Sequence, residues 1–297
     1  MSDLPAYLAA TRERIDRALA GVLDDYLEGV TDDLTAPIRY ACEGGGKRFR
    51  PTLFLASHAV SGREPDDGVV RLATALEIVH SYSLVHDDLP CMDDDDWRRG
   101  WPTCHRRFGV ERATLAAAAM VPLAGRIVAE EAAALGFDDD ARARLVVELS
   151  EAAGPAGMVG GQILDLIYEG RAVSADELGE AHRRKTGALI RASARLGARV
   201  GRLDDGLIAA LTDYGDRVGL AFQIADDLLD EEEGGDVRDP RSDRALGKAT
   251  YPALYGSEGA RDRARELAQG AIAALRQARI SSPILEGLAI HVVERES

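Results

Sequence analysis

The stretch from residue 72 to residue 100 reads LATALEIVHSYSLVHDDLPCMDDDDWRRG. Its apolar residues recur at the three- and four-residue spacing of a helix, as at Leu72, Leu76 and Val79. Pro90 then breaks or kinks that helix, because proline cannot donate the hydrogen bond that a helix interior needs. The stretch therefore predicts a buried helix that ends in a dense group of carboxylates.

Six aspartates crowd the end of this predicted helix. They are Asp87, Asp88 and the run from Asp93 to Asp96. Like charges this close repel one another unless water or a cation neutralises them. The flanking Tyr82 and Leu89 are typical of a core, which argues against a simple solvated turn. We expect the proline break to turn Asp93 back toward Asp87, which a straight helix does not do at a spacing of six.

The rest of the chain shows the same helical periodicity, and alternating strand patterns are scarce. Of its 297 residues, 46% are hydrophobic but only 5% are aromatic, and alanine is abundant. Small side chains let helices approach closely. Ser174 and Glu177 have the spacing of a capping box that opens one helix. We therefore predict an all-α fold of roughly ten or more helices in a single domain over residues 1–297.

The charge balance excludes several classes of function. Asp and Glu number 51 against 36 Lys and Arg, giving a formal charge of −15. That charge argues against binding of nucleic acid or of an anionic membrane through a basic surface. Three cysteines without CxxC spacing predict neither a disulfide framework nor a zinc site, and they fit a cytoplasmic location. The most apolar run, residues 113–125, is too short to span a bilayer.

A second acidic cluster lies far along the chain, where residues 222–233 read FQIADDLLDEEE. Asp226 and Asp230 are four residues apart, so they share a helix face at a separation of about 6 Å. Asp227 lies beside them, and the residues before them are apolar. Carboxylate oxygens in this number suit Mg²⁺, which also takes phosphate oxygens as ligands. Two such clusters on apolar helices indicate a metal and diphosphate site.

Basic residues accompany the acidic clusters. Residues 44–51 read GGGKRFRP, which is not a Walker A loop but places Lys47 and Arg50 beside a glycine turn. Arg98 and Arg99 follow the first cluster, and residues 183–186 read RRKT. Each group alone is typical of surface charge. Together they are what a site for two diphosphates requires in an acidic protein. His58, His105, His182 and His291 receive no role.

At this point the sequence resembles a known family, the short-chain trans-prenyl diphosphate synthases of the farnesyl and geranylgeranyl diphosphate group. The matching stretches extend from about residue 44 to residue 254, in the order of that family. They are GGGKRFRP, HSYSLVHDDLPCMDDDDWRRGWPTCHRRFG, GMVGGQILDL, HRRKTGALIRASARLGA, GLAFQIADDLLD and LGKATYPAL. The resemblance implies helices around a central cavity, the two acidic motifs facing each other across it, Mg²⁺ and a homodimer.

The resemblance also implies a role for individual residues. The implied Mg²⁺ ligands are Asp87, Asp88, Asp93, Asp226, Asp227 and Asp230. The implied contacts to an allylic diphosphate are Arg98, Lys185, Thr186, Gln223 and Lys248. The implied contacts to isopentenyl diphosphate are Lys47, Arg50, His80 and Arg99. Those with a catalytic role are Asp87, Asp88, Lys185, Asp226 and Asp227. The implied reaction is a 1′-4 prenyl transfer, in which the allylic C–O bond ionises and isopentenyl diphosphate attacks the cation.

Product length in this family depends on what blocks the cavity below the first motif. Tyr82 lies five residues before Asp87, about 7.5 Å along a helix. A bulky Tyr82 beside the small Ser83 favours a C15 product, farnesyl diphosphate. Geranylgeranyl and geranyl diphosphate remain alternative products.

The sequence departs from the family pattern at two places. Ala117 and Ala118 stand where the family usually has Gly-Asp, so a polar contact between helices is lost. The loop after the second motif has no lysine before Lys248, and Arg238 or Arg241 would have to replace it. Both departures leave open the alternative that this chain is a divergent or less active member of the family.

Three other functions compete with this reading. His58, His86 and Asp87 suit an HD-type metal phosphohydrolase, which would leave the second acidic cluster unexplained. A terpene cyclase shares the first motif but typically has an Asn/Ser/Glu pattern in place of the second. A catalytically weak partner subunit usually loses aspartate motifs, and this chain has both.

Overall fold

The computed structural model describes residues 4–233 and 249–294, and nearly all of them are helical. The helices are α1 (Leu4–Tyr26), α2 (Asp32–Glu43), α3 (Phe49–His58), α4 (Asp67–Asp87), α5 (Cys104–Phe108), α6 (Val110–Ala134), α7 (Asp139–Ala153), α8 (Met158–Tyr168), α9 (Ala175–His182), α10 (Ala188–Val200), α11 (Asp205–Glu233), α12 (Tyr251–Gln277) and α13 (Pro283–Glu294). A short 3₁₀ turn covers Ala59–Ser61, and a π-helical turn covers Arg183–Gly187. The predicted all-α class is confirmed.

The described β-structure is one small antiparallel hairpin. Its strands are β1 (Trp97–Arg98) and β2 (Trp101–Pro102), and Arg98 pairs with Trp101. The hairpin directly follows the first acidic motif. It therefore sets the place of the two arginines that come after that motif.

Residue contacts divide the chain into two compact units. The first comprises Pro5–Leu55 and Glu64–Ser150. The second comprises Ala56–Arg63, Leu4 and the described residues from Glu151 onward. The first acidic motif belongs to the first unit and the second motif to the second unit. A single domain over residues 1–297 stays a prediction.

Helix α4 forms the core of the first unit. Asp66 caps its first turn by accepting a hydrogen bond of 2.9 Å from the Val69 amide. The helix is buried on most of its sides, including Ala75 and Ile78, and it packs closely against α6. Alanines 113, 116, 117 and 124 of α6 are buried, and their small side chains permit this close approach.

Helix α6 is longer than the apolar run 113–125. It continues through Pro122 to Ala134, and within the described residues it is the one helix long and apolar enough to cross a membrane. The most apolar 18-residue stretch of the helix has a mean hydropathy of 1.4, and 39% of that stretch is buried. The buried core helix of a protein in water passes the same test, so length and composition alone assign no membrane.

The second unit is built on long helices that pack closely. Helix α11 packs against α10, α12 and the π-helical turn. Tyr214 of α11 is completely buried, and its hydroxyl donates to the Leu285 carbonyl at 2.7 Å. The predicted capping box opens α9, where Ser174 and Glu177 bond to each other's backbone amides.

Candidate active site

The first acidic motif folds back on itself after α4. The turn around Pro90 brings the Asp93 amide to the Asp87 carbonyl, where it donates a hydrogen bond of 2.9 Å. Asp94 then takes a left-handed φ of 51°, and its amide donates to Leu89 at 3.2 Å. The predicted return of Asp93 toward Asp87 is confirmed at the level of the backbone.

Asp88 is in a different environment from its neighbour. It is only 3% exposed, and one of its oxygens accepts from Nε and Nη2 of Arg98 at 2.6 and 2.5 Å. Burial raises the pKa of Asp88, and the hydrogen bond and charge of Arg98 oppose that shift. Burial alone would lower the pKa of Arg98, but the bond to Asp88 outweighs it and raises the pKa. Asp88 therefore holds the Arg98 guanidinium in place, whereas Asp87 keeps 17% of its side chain exposed.

The glycine turn and Arg99 lie against each other. Nη1 of Arg99 donates to the Gly45 carbonyl at 2.5 Å. A Cβ on Gly46 would lie 2.8 Å from the same nitrogen, and the φ of Gly46 is 140°. This position favours glycine, because residues with a side chain rarely adopt that φ, and a Cβ there would also press on the end of the Arg99 side chain. Lys47, the next residue, is exposed to solvent.

His80 lies in the field of these cations. Desolvation lowers its pKa well below the usual value, with further lowering from Arg50, Arg99 and Arg98. Nδ1 of His80 has no hydrogen-bond partner among the described residues. A neutral imidazole surrounded by arginines is suited to donate a hydrogen bond to an anion. The first unit thus brings together the predicted contacts Arg50, His80 and Arg99.

The second acidic motif places its three aspartates differently. Asp227 is 4% exposed and accepts from the Tyr251 amide at 3.0 Å. It also bonds to Nε2 of His182 at 3.1 Å and accepts from Nε2 of Gln223 at 3.2 Å. Asp226 is half-buried and Asp230 is exposed on the same helix. Asp227 therefore organises the second unit from inside, and its predicted metal ligation stays a prediction.

The Asp227 network reaches the π-helical turn. Thr186 donates from its hydroxyl to Oε1 of Gln223 at 2.6 Å, and Gln223 donates to Asp227. Nζ of Lys185 pairs with the carboxylate of Asp165 on α8. Three of the predicted allylic contacts, Lys185, Thr186 and Gln223, therefore lie in one connected region. Lys248, Arg238 and Arg241 lie outside the described residues.

Glycines hold the π-helical turn between two helices. A Cβ on Gly161 of α8 would lie 2.0 Å from the Lys185 backbone nitrogen. A Cβ on Gly219 of α11 would lie 2.8 Å from Cα of Gly187. Both approaches are backbone to backbone, so a side chain at either glycine would push the turn out of place. π-Helical turns are frequent at functional sites.

Tyr82 packs in the first unit against an apolar cluster. Its neighbours are the buried residues Val85, Leu89, Cys104, Ala113 and Ala117. Ala117, one of the two departures from the family pattern, therefore replaces polar contact by apolar packing in the cluster that contacts Tyr82. The other, Ala118, is exposed.

Sequence reasoning missed several buried polar residues that support these groups. Arg48 is 3% exposed and pairs with Glu77, which is 1% exposed. His182 received no role, and it bonds to Asp227. Glu77 could have been recognised as a buried, paired residue from the sequence, because it is a carboxylate in the middle of the apolar stripe of α4.

Comparison with known proteins decides the family. The model of the polyprenyl synthetase family matches residues 31–281. The chain belongs to the polyprenyl synthetase family. The predicted family and the predicted enzyme class, prenyl transfer, are confirmed, and the phosphohydrolase alternative has no support.

The relatives within this family resemble the chain over nearly its whole length. Farnesyl diphosphate synthase of Escherichia coli is 41% identical over 299 residues, which cover 99% of each chain. Geranylgeranyl pyrophosphate synthase 4 of Arabidopsis thaliana is 35% identical over 91% of this chain and 72% of its own. The crystal structure of an FPP/GFPP synthase from Zymomonas mobilis superposes with a TM-score of 0.84 at 37% identity, covering 98% and 99% of the two chains.

The carboxylates of this polyprenyl synthetase fit Mg²⁺ in their chemistry. Within the described residues, no three His, Cys, Asp or Glu side chains form a ready chelating group. Mg²⁺ needs few protein ligands, because it keeps waters and takes substrate phosphate oxygens. Asp87, at the end of α4, and Asp226, seven residues before the end of α11, are both partly accessible and suit that mode of binding.

The pKa of His80 predicts a loss of stability in mild acid. Its folded pKa is lowered, so below about pH 6.5 the unfolded chain binds a proton that the folded chain excludes. The free energy of unfolding therefore falls as pH drops from 7.5 to 5. His80→Asn is expected to reduce the slope of the unfolding free energy against pH by the equivalent of up to one proton. Urea denaturation between pH 5 and 7.5 measures that slope. An unchanged slope would mean that His80 titrates normally in the folded protein.

Proposed function

We propose that the protein is a short-chain prenyl diphosphate synthase that condenses isopentenyl diphosphate with an allylic diphosphate and makes farnesyl diphosphate. The observation that carries the proposal is the grouping of the predicted diphosphate contacts. The charges of Arg50 and Arg99 act on His80, Arg99 contacts the glycine turn, and Lys185 lies next to Thr186 at the π-helical turn. The names of the similar synthases support the same substrates.

The acidic motifs hold the metal in this proposal. Mg²⁺ would be bound by Asp87 and Asp93 of the first motif and by Asp226 and Asp230 of the second, and it supplies positive charge to the departing diphosphate. Asp88 and Asp227, which are buried and hydrogen-bonded, hold Arg98 and Gln223 for the same substrate. The full ligand set, including Asp88 and Asp227, remains the family expectation.

The basic residues divide the two substrates between them. Arg98 and Lys185 place positive charge on the allylic diphosphate, which lowers the barrier to breaking its C–O bond. Lys47, Arg50, His80 and Arg99 hold isopentenyl diphosphate, whose double bond attacks the allylic cation. The proton then lost from the new chain goes to the departed diphosphate. No side chain is needed as a nucleophile.

The setting of the enzyme is also proposed. The family suggests a homodimer, and the outer face of α6 offers a surface for it, with Leu115 63% and Val110 43% exposed. The cytoplasm is the proposed location, supported by three free cysteines, Cys42, Cys91 and Cys104.

Tyr82 is the proposed floor for the growing chain. Tyr82→Ala removes the ring below Asp87 and is expected to shift the main product from C15 to C20 or longer, as read by chromatography of the dephosphorylated products. Phe108→Ala is the matched control, because Phe108 packs against the same apolar cluster from α5. The control should still release C15. Unchanged length in Tyr82→Ala would remove the tyrosine as the floor.

The function itself is tested with labelled isopentenyl diphosphate, Mg²⁺ and each allylic primer in turn. With dimethylallyl or geranyl diphosphate, the expected main product has 15 carbons. A product of 10 or 20 carbons would correct the chain length alone. No Mg²⁺-dependent product with any primer would favour the alternative of a weak partner subunit.

A further inference from the structure

Arg48 stands between two predicted diphosphate contacts but does not face solvent. Lys47 before it is exposed, whereas Arg48 itself is 3% exposed. Its guanidinium donates from Nε to Asp16 at 2.7 Å and from Nη1 to Glu77 at 2.7 Å. Its Nη2 donates to the Cys42 carbonyl at 2.9 Å. All three nitrogens of the side chain are therefore bound within the first unit.

The pair of Arg48 with Glu77 is a buried ion pair. Glu77 is 1% exposed, so neither charge is compensated by water. Burial alone would lower the pKa of Arg48, but Glu77 and Asp16 outweigh it and raise the pKa. Removing one partner of a buried ion pair is costly, whereas replacing both partners by apolar residues is often tolerated.

The pair fixes the position of the loop relative to α4. The Arg48 carbonyl accepts from the Thr52 amide at 3.1 Å, so Arg48 is the residue directly before α3, which begins at Phe49. Arg50 lies in the first turn of that helix, and Glu77 lies three residues before His80 on α4. One ion pair thus joins the segment that bears Lys47 and Arg50 to the helix that bears His80.

The backbone at Arg48 gives a second reason why the pair matters. Its φ is 49°, in the left-handed region that is unfavourable for residues with a side chain. Such a conformation persists only when the surroundings impose it. Without its three hydrogen bonds, residue 48 is free to relax, and both flanking cations move with it.

We propose that the Arg48–Glu77 ion pair is a positioning device for the isopentenyl diphosphate site. It touches no substrate and acts through Lys47, Arg50 and His80. The proposal rests on the proposed function for the identity of the ligand. It adds that affinity for this diphosphate, and not for the allylic one, depends on a buried pair outside the site.

The test compares Arg48→Met/Glu77→Leu with Arg71→Met. Arg71 is the matched control, because this arginine of α4 also forms ion pairs, with Glu131 at 2.8 Å and with Asp25 at 2.9 Å. These ion pairs lie away from the glycine turn. The double variant is expected to raise KM for isopentenyl diphosphate at least tenfold and to leave KM for the allylic primer within about twofold. The control should leave both within about twofold. Equal shifts of the two KM values, or no shift, would overturn the proposal.

Two further measurements keep the result interpretable. Arg48→Lys retains the charge and one partner, so it should fold and show a smaller rise in the same KM. Binding of inorganic pyrophosphate without metal, measured by calorimetry, should weaken in the double variant and not in Arg71→Met. Because this binding needs no turnover, it separates the two proposals. A wild type without synthase activity would overturn the proposed function. Pyrophosphate binding that is unchanged in the double variant would overturn the positioning role of the ion pair.

Discussion

Asp87→Asn and Asp226→Asn are each expected to lower kcat about 10³-fold, the scale seen when one group that stabilises developing charge is removed. Each substitution keeps the size of the side chain and removes one negative charge that would hold Mg²⁺. KM for isopentenyl diphosphate should change little, because its contacts are the basic residues near the glycine turn. Pyrophosphate release at saturating substrates measures the effect.

Asp94→Asn is the matched control for the first motif. Asp94 is exposed in the same acidic run, and its left-handed φ of 51° is one that asparagine adopts readily. It should keep nearly full activity. If Asp94→Asn were as inactive as Asp87→Asn, the effect would come from total charge. If Asp226→Asn stayed active, the second motif would have no part in the reaction.

Gly161→Ala is expected to lower kcat about 10²-fold and to destabilise the fold. The new Cβ would lie 2.0 Å from the Lys185 nitrogen and 2.4 Å from its Cα, so the backbone of the π-helical turn must move. Displacement of a catalytic group by about 1 Å costs about 10²-fold in rate. Overpacking of this kind costs about 1–3 kcal/mol of stability. Turnover and thermal unfolding measure the two effects.

Gly125→Ala provides the comparison. Gly125 is a helical glycine of α6 whose added Cβ would meet, among the described residues, only Val146, at an ordinary 3.9 Å. Alanine is the better helix former by about 1 kcal/mol, so this variant should be as stable as wild type or more so. A Gly161→Ala enzyme with normal rate and stability would show that α8 and the turn separate without consequence.

Local sequence rules were enough for the elements around the first motif. Apolar spacing predicted α4, and the proline rule predicted the return of Asp93 toward Asp87. The capping box of Ser174 and Glu177 was equally local. Such features depend on residues a few positions apart, and a sequence displays them directly.

The interior partners of the site were not accessible in this way. Glu77 and Arg48 are 29 residues apart, and His182 and Asp227 are 45 apart. Whether a carboxylate faces solvent or a buried partner depends on which helices pack together, and periodicity alone does not determine that. For the same reason the sequence treated Asp226 and Asp227 alike, although one is half-buried and the other is 4% exposed.

The most direct measurement is the Mg²⁺-dependent binding of inorganic pyrophosphate, followed by calorimetry in the wild type, Asp87→Ala and Asp226→Ala. If both acidic motifs take part in Mg²⁺-dependent binding of a diphosphate, the wild type binds pyrophosphate far more tightly with Mg²⁺ than without it. Each variant, still folded by circular dichroism, then loses most of that gain. A variant of either motif that keeps the full Mg²⁺-dependent affinity would contradict a shared role of the two motifs.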